Sequence, residues 1–231
     1  MVSRRGNSYS DRVAQLEACL IDAYDTILTC DFSIQQGEIS AMAGLPAQTW
    51  EAEYDRIEPW LTDGRITKTQ AFGDILRTCG QQPRADLLAA MVARDRELLL
   101  ANGRLFDDAI GFLEGLRARG IRIAIVSNCT ETTRPLLVKL GVDVLADVMV
   151  LSCEAGSAKP DARIFTRALD QLGTRPEAAV FVDDQARYCA GAVAVGIVTA
   201  QIVRGAPDGQ APAAGITVVR SLPEVQAMFA A

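Results

Sequence analysis

CLIDAYDTIL, residues 19–28, begins as an apolar run that stops at Asp22, and it carries a phenol at Tyr24 and a second carboxylate at Asp25 before Ile27 resumes. An aspartate at the end of a buried strand is costly unless it has a partner or a task. Leu16–Ile21 reads as the strand that delivers Asp22. From about Leu105 onward the chain alternates short apolar strands with helices. Arg122–Ser127 (RIAIVS) precedes a helix over Glu131–Leu140, and Val148–Leu151 precedes one over Asp161–Leu172. Ala179–Val182 (AVFV) precedes a third helix over Ala186–Val195. Glycines 141, 173 and 196 stand just past these helices, the usual left-handed stop. Near-continuous apolar strands between helices predict a parallel sheet covered on both faces, a Rossmann-like doubly wound α/β core. Ile216–Val219 and Leu222–Phe229 are expected to add an edge strand and a closing helix.

Residues 31–103 show no strand alternation. Trp50, Tyr54, Ile57 and Leu61 fall at helical spacing, and Thr69–Cys79 and Asp86–Leu100 follow as further helices. These residues predict an inserted α-helical cap, with its aromatics packed internally, between core segments 11–30 and 104–231. Residues 1–10 read as a mobile tail and residues 205–215 as a Gly/Ala/Pro-rich loop.

The 231 residues carry 23 Lys+Arg against 29 Asp+Glu, a formal charge of −6. That balance argues against nucleic acid or an anionic membrane as the main partner. Cys189–Val203, the most apolar late stretch, is interrupted by Gly191 and Gly196 and is too short to span a bilayer. Histidine is absent, which removes Ser-His-Asp and Cys-His catalysis together with every His-ligated zinc site. The six cysteines form no C-x-x-C pair and read as reduced thiols, consistent with a cytoplasmic location.

Ligands of such sheets bind beyond the carboxyl ends of the strands. Asp22, Ser127-Asn128 and Asp183-Asp184 end three strands, and Lys159 lies in the loop GSAKPD before a helix. Asp22 is a nucleophile that needs no histidine. Asp22, Asp183 and Asp184 form a set of hard oxygen ligands suited to Mg²⁺. Ser127, Asn128 and Lys159 could cradle phosphate oxygens. Singly, each is a common turn or cap residue; their convergence points to phosphoryl transfer.

These motifs resemble those of the haloacid dehalogenase superfamily. IDAYDTIL is similar to its first motif, with Asp22 and Thr26, and IVSN to its second, with Ser127. GSAKPDARIF matches the third, with Lys159, and VFVDD the fourth, with Asp183 and Asp184. The resemblance implies a helical cap closing over a small phosphorylated substrate, Mg²⁺, and an aspartyl-phosphate formed on Asp22.

Tyr24 departs from the phosphatase pattern, in which an aspartate at this place protonates the leaving oxygen. A phenol is a weak donor and cannot act as a base while protonated. Asp25 either takes over that work or only fixes the turn after the strand. Tyrosine here resembles the 2-haloacid dehalogenases, which need no metal. Their fourth motif differs from Asp183-Asp184, their aspartate is replaced by Tyr188, and Arg56 is the candidate for their early cap arginine. The readings are therefore a magnesium-dependent phosphatase, a dehalogenase-like hydrolase, or a weakly active or non-catalytic member. The sequence sets no oligomeric state.

Overall fold

The computed structural model describes residues 15–205 and 214–229. The expected tail at 1–10 and most of the loop at 205–215 lie outside them. Strands β1 (Ala18–Ile21), β4 (Arg122–Ser127), β5 (Val148–Leu151), β6 (Ala179–Asp183), β7 (Val198–Ile202) and β8 (Ile216–Val219) form one sheet. Its order is β5-β4-β1-β6-β7-β8 and every pair is parallel. β2 (Leu28–Thr29) and β3 (Arg104–Leu105) form a separate antiparallel ribbon, pairing Leu28 with Leu105 and Thr29 with Arg104.

The sheet is covered on both faces, and β1 shows why its sequence is apolar throughout. Cys19 and Ile21 pack on one side with Phe112, Leu113 and Leu136; Ala18 and Leu20 pack on the other with Phe165, Ala168 and Phe181. A period of two sends successive side chains to opposite layers, so both must be apolar. Phe165 and Phe181 meet edge to face at 5.1 Å, a geometry worth about 0.5–1.5 kcal/mol beyond area burial.

Four helices lie between β2 and β3: α1 (Phe32–Ala43), α2 (Ala47–Thr62), α3 (Lys68–Thr78) and α4 (Ala85–Asn102). The core contributes α5 (Ala109–Ala118), α6 (Thr133–Lys139), α7 (Ser152–Ala155), α8 (Ala162–Leu172), α9 (Ala186–Val195) and α10 (Leu222–Met228). The inserted helices build their own apolar cluster, in which Trp50 and Phe72 meet edge to face at 5.2 Å and Ile57, Leu61 and Met91 are buried. Thr67 caps α3 through a reciprocal box with Gln70. Tyr54, expected inside this cluster, is only half-buried and turns one face to a cavity.

Helices α1 and α5, strand β7 and the β2–β3 ribbon are additional to the sequence expectations. β7 begins two residues after Gly196, whose left-handed φ of +93° ends α9. No polar loop separates helix from strand, so the two merge into one apolar stretch when read linearly. The two-residue ribbon is too short to show a period.

Candidate active site

β1 ends between β4 and β6, and the register aligns Ile21 with Ile125 and with Val182. Asp22 therefore stands beside Asp183, and its N–H donates to the Val182 carbonyl at 2.9 Å. Both carboxylates are buried. The Lys159 ammonium lies between them, 2.7 Å from Asp22 Oδ1 and 2.6 Å from Asp183 Oδ2. Burial alone would lower the pKa of this lysine, but Asp22 and Asp183 outweigh it and hold the ammonium charged. The loop carrying Lys159 is fixed by Asn128, whose Nδ2 donates to the Lys159 carbonyl at 2.9 Å and whose Oδ1 accepts the Lys159 N–H at 2.7 Å. Asn128 thus orients Lys159, a task the expected role in substrate binding did not include.

Asp184 completes an acidic trio with Asp22 and Asp183, one ligand oxygen from each lying within 4.8 Å of the others. Burial raises the carboxyl pKa of Asp183, with Lys159 opposing and Asp22 adding to the shift. Burial, then Asp22 and Asp25, pushes Asp184 up to about 6. Asp184 Oδ1 has no hydrogen-bond partner among the described residues, and neither has Ser127 Oγ or Thr26 Oγ1. A buried polar atom left without a partner costs about 1–3 kcal/mol. The unpartnered Asp184 oxygen within a cluster of three carboxylates makes a site suited to a hard cation, so the residues fit Mg²⁺.

Tyr24 is half-buried. Its hydroxyl is 2.9 Å from Thr133 Oγ1, and its ring lies 5.5 Å from that of Phe32. Burial pushes the phenol far above its ordinary pKa, with the Thr133 hydrogen bond only partly offsetting. Asp25 adopts a left-handed φ of +56°, and its N–H donates to the Leu28 carbonyl at 2.6 Å. That is the turn role anticipated for it. Its carboxyl also lines the cleft, where desolvation, then the charge of Asp22, raises its pKa.

A cavity of about 700 Å³ opens between the inserted helices and these strand ends. Asp22, Tyr24, Asp25, Asn128 and Lys159 line it, whereas Ser127, Asp183 and Asp184 lie outside its lining. From the helices come Gln35, Tyr54, Glu58, Lys68 and Asp95, none of them a candidate site residue in the sequence reading. Their spacing gives no signal, because a helix face becomes a cavity wall only once it meets the core. Tyr188 also lines the cavity; Lys159 lies 4.9 Å and Arg187 4.6 Å from the centre of its ring. Arg56 does not reach the cavity. It pairs with Glu53 at 2.8 Å and with Asp74 at 3.0 Å on the outer surface.

The chain belongs to the haloacid dehalogenase-like hydrolases, whose family model matches residues 16–196. It is an enzyme of that hydrolase family, and its relatives fall on both sides of the question raised by Tyr24. A glyceraldehyde 3-phosphate phosphatase of Methanopyrus kandleri is 29% identical, over 82% of this chain and 85% of the relative. The (S)-2-haloacid dehalogenase 4A of Burkholderia cepacia is 28% identical, over 83% of this chain and 85% of the relative. Among solved structures, a putative beta-phosphoglucomutase from Thermotoga maritima matches 93% of this chain and 99% of its own with a TM-score of 0.71; at 18% identity this shows shared fold alone. Among the described residues no helix is long and apolar enough to cross a membrane.

Proposed function

We propose that the protein is a magnesium-dependent phosphatase of a small phosphorylated metabolite, acting through a phosphoryl group carried on Asp22. The observation that supports this reading best is the trio of buried Asp22 and Asp183 with half-buried Asp184, whose ligand oxygens lie within 4.8 Å of one another. Three clustered carboxylates repel unless a cation offsets them, and Lys159 contacts only two. The three aspartates would hold Mg²⁺, which when bound offsets negative charge on the phosphoryl oxygens.

Asp22 attacks phosphorus in line, forming an acyl-phosphate bond as the bond to the leaving oxygen breaks. Ser127 Oγ donates to a phosphoryl oxygen, and Lys159 keeps Asp22 oriented and adds positive charge where negative charge accumulates. Water then attacks phosphorus, releasing phosphate and regenerating the Asp22 carboxylate. Tyr24 takes no proton in either half, because burial keeps its phenol protonated despite the opposing Thr133 hydrogen bond. Asp25 is the carboxyl placed to carry the proton, since it lines the cleft and its pKa is raised. A small substrate fits because the inserted helices cover the cavity.

Acid quenching during turnover, followed by mass analysis, tests the reading. One phosphoryl group on the peptide containing Asp22, absent in Asp22→Asn, is expected; turnover with no such adduct would sink the covalent route.

Tyr24 favours a second reading, release of halide from a short 2-halo acid, in which the leaving group needs no proton. Metal-independent halide release from 2-chloropropionate would establish it. The outward placement of Arg56 weighs against this alternative, since it supplies no guanidinium to the cavity.

A further inference from the structure

The inserted helices carry an ion pair that the proposed chemistry does not use. Lys68, at the start of α3, and Asp95, on α4, are 2% and 3% exposed, yet both line the cavity. Lys68 Nζ contacts Asp95 Oδ2, its one hydrogen-bond partner among the described residues. An ammonium has three N–H donors, so two remain. Gln35, also buried and on the cavity wall, donates Nε2 to Asp95 Oδ1 and, at 3.2 Å, to the Asp95 carbonyl. Its Oε1 accepts no hydrogen bond from the described residues. Free donors on Lys68 thus accompany a free acceptor on Gln35 in one wall of the cavity that also contains Asp22.

Replacing a buried ion pair by apolar side chains of similar volume is often neutral for stability, so packing alone does not require this one. The pair is also neutral as a unit. Lys68 is matched by Asp95, Arg163 by Asp161 at 2.7 Å, and Lys159 by Asp22 and Asp183. Arg187, the remaining cation of the wall, donates to Gln185 Oε1 at 3.0 Å and to the Tyr188 hydroxyl at 2.7 Å, both neutral groups. The part of the wall around Lys68 therefore offers hydrogen bonds to a leaving group from a charge-neutral cluster.

Resting on the phosphatase reading, we propose that Lys68, Asp95 and Gln35 form a specificity subsite for a hydroxyl on the leaving group. The substrate class is then a phosphate monoester of a small hydroxylated molecule. The hydroxyl accepts from Lys68 and donates to Gln35 Oε1. A site built around a substrate hydroxyl discriminates strongly against the analogue lacking it, because its own polar groups are then left unpaired.

The test compares glycerol 1-phosphate and n-propyl phosphate in the wild type and in Lys68→Met/Asp95→Leu. The paired change avoids leaving either charge buried alone, as Lys68→Met by itself would, and a thermal melt checks that it folds. In the wild type, kcat/KM for glycerol 1-phosphate is expected to exceed that for n-propyl phosphate by at least about tenfold. In the paired variant that ratio is expected to fall to about one, chiefly through KM. A wild type indifferent to the hydroxyl, or a variant that keeps the preference, would overturn the subsite. Calorimetric titration of the same two esters into Asp22→Asn, with and without the paired change, separates the two readings. Hydroxyl-selective binding lost in the paired variant, with no turnover of either ester by the wild type, would overturn the phosphatase and uphold the subsite. Turnover without selectivity would do the reverse.

Discussion

The Lys159 ammonium lies 2.7 Å from Asp22 Oδ1, so the proposed nucleophile is held by a buried cation. The same ammonium is 2.6 Å from Asp183, which makes it the link between the first and fourth motifs. Breaking a buried pair by removing one partner costs about 3–5 kcal/mol, because the other charge stays buried. Lys159→Met is therefore expected to lower the melting temperature in the absence of magnesium. Its kcat is expected to fall by about 10²–10³, the usual range for loss of one preorganised electrostatic contact. Steady-state kinetics and a melt performed with and without magnesium check both.

The acidic trio predicts a metal dependence that single substitutions separate. Asp184→Asn removes a ligand that is not tied to Lys159, and it should weaken magnesium activation without unfolding the protein. Asp183→Asn also removes the 2.6 Å contact to Lys159 and should cost stability as well. Titrating magnesium against activity distinguishes them: the Asp184 variant is expected to require more metal, and an unchanged requirement would remove Asp184 from the site.

Tyr24 predicts a gain of function. Its hydroxyl bonds to Thr133 and its pKa is pushed far up, so it supplies no proton at neutral pH. A carboxyl placed there would. Tyr24→Asp is expected to raise kcat on alkyl phosphates by about tenfold, less than the full worth of general acid catalysis because Asp25 already carries the proton, with a smaller effect on aryl phosphates, whose leaving group needs less help. Asp25→Asn should show the opposite pattern, losing alkyl more than aryl turnover. Equal losses on both classes would leave Asp25 only its turn, with its φ of +56°.

Away from the chemistry, Arg204 holds the loop behind Asp22. It donates to the Thr26 carbonyl at 2.7 Å and to Asp108 Oδ1 at 2.9 Å, while Asp108 Oδ2 accepts the Leu222 N–H at 3.0 Å. Burial works against the Asp108 carboxylate, but these hydrogen bonds outweigh it and hold the pKa below the ordinary value. A depressed carboxyl pKa contributes stability above the unfolded-state pKa, and that stability is lost as pH falls through the folded-state value. Arg204→Met should cost about 2 kcal/mol at neutral pH. Asp108→Asn should flatten the acid limb of the stability curve, read from urea unfolding between pH 3 and pH 7 as about the relevant range.

The sheet and the polar rim were legible because both rest on short-range signals. Apolar runs ending in Asp22, Ser127 and Asp183 state where strands stop, and parallel strands bring their ends to one edge. The positioning role of Asn128 was not legible, since it depends on a contact spanning 31 residues. Nor was the wall built by Gln35, Lys68 and Asp95: each reads locally as an ordinary helix residue, and only the packing of α1, α3 and α4 buries them together. Tyr24 stands out in the sequence against the phosphatase pattern, but its bond to Thr133 joins positions 109 residues apart and has no local signal.

Phosphate release from p-nitrophenyl phosphate and glycerol 1-phosphate, measured with magnesium and with chelator in the wild type and in Asp22→Asn, tests the central claim most directly. The account predicts release that requires magnesium and disappears in Asp22→Asn. Release that persists in chelator, or in Asp22→Asn, would contradict it, as would a wild type that releases no phosphate from either ester.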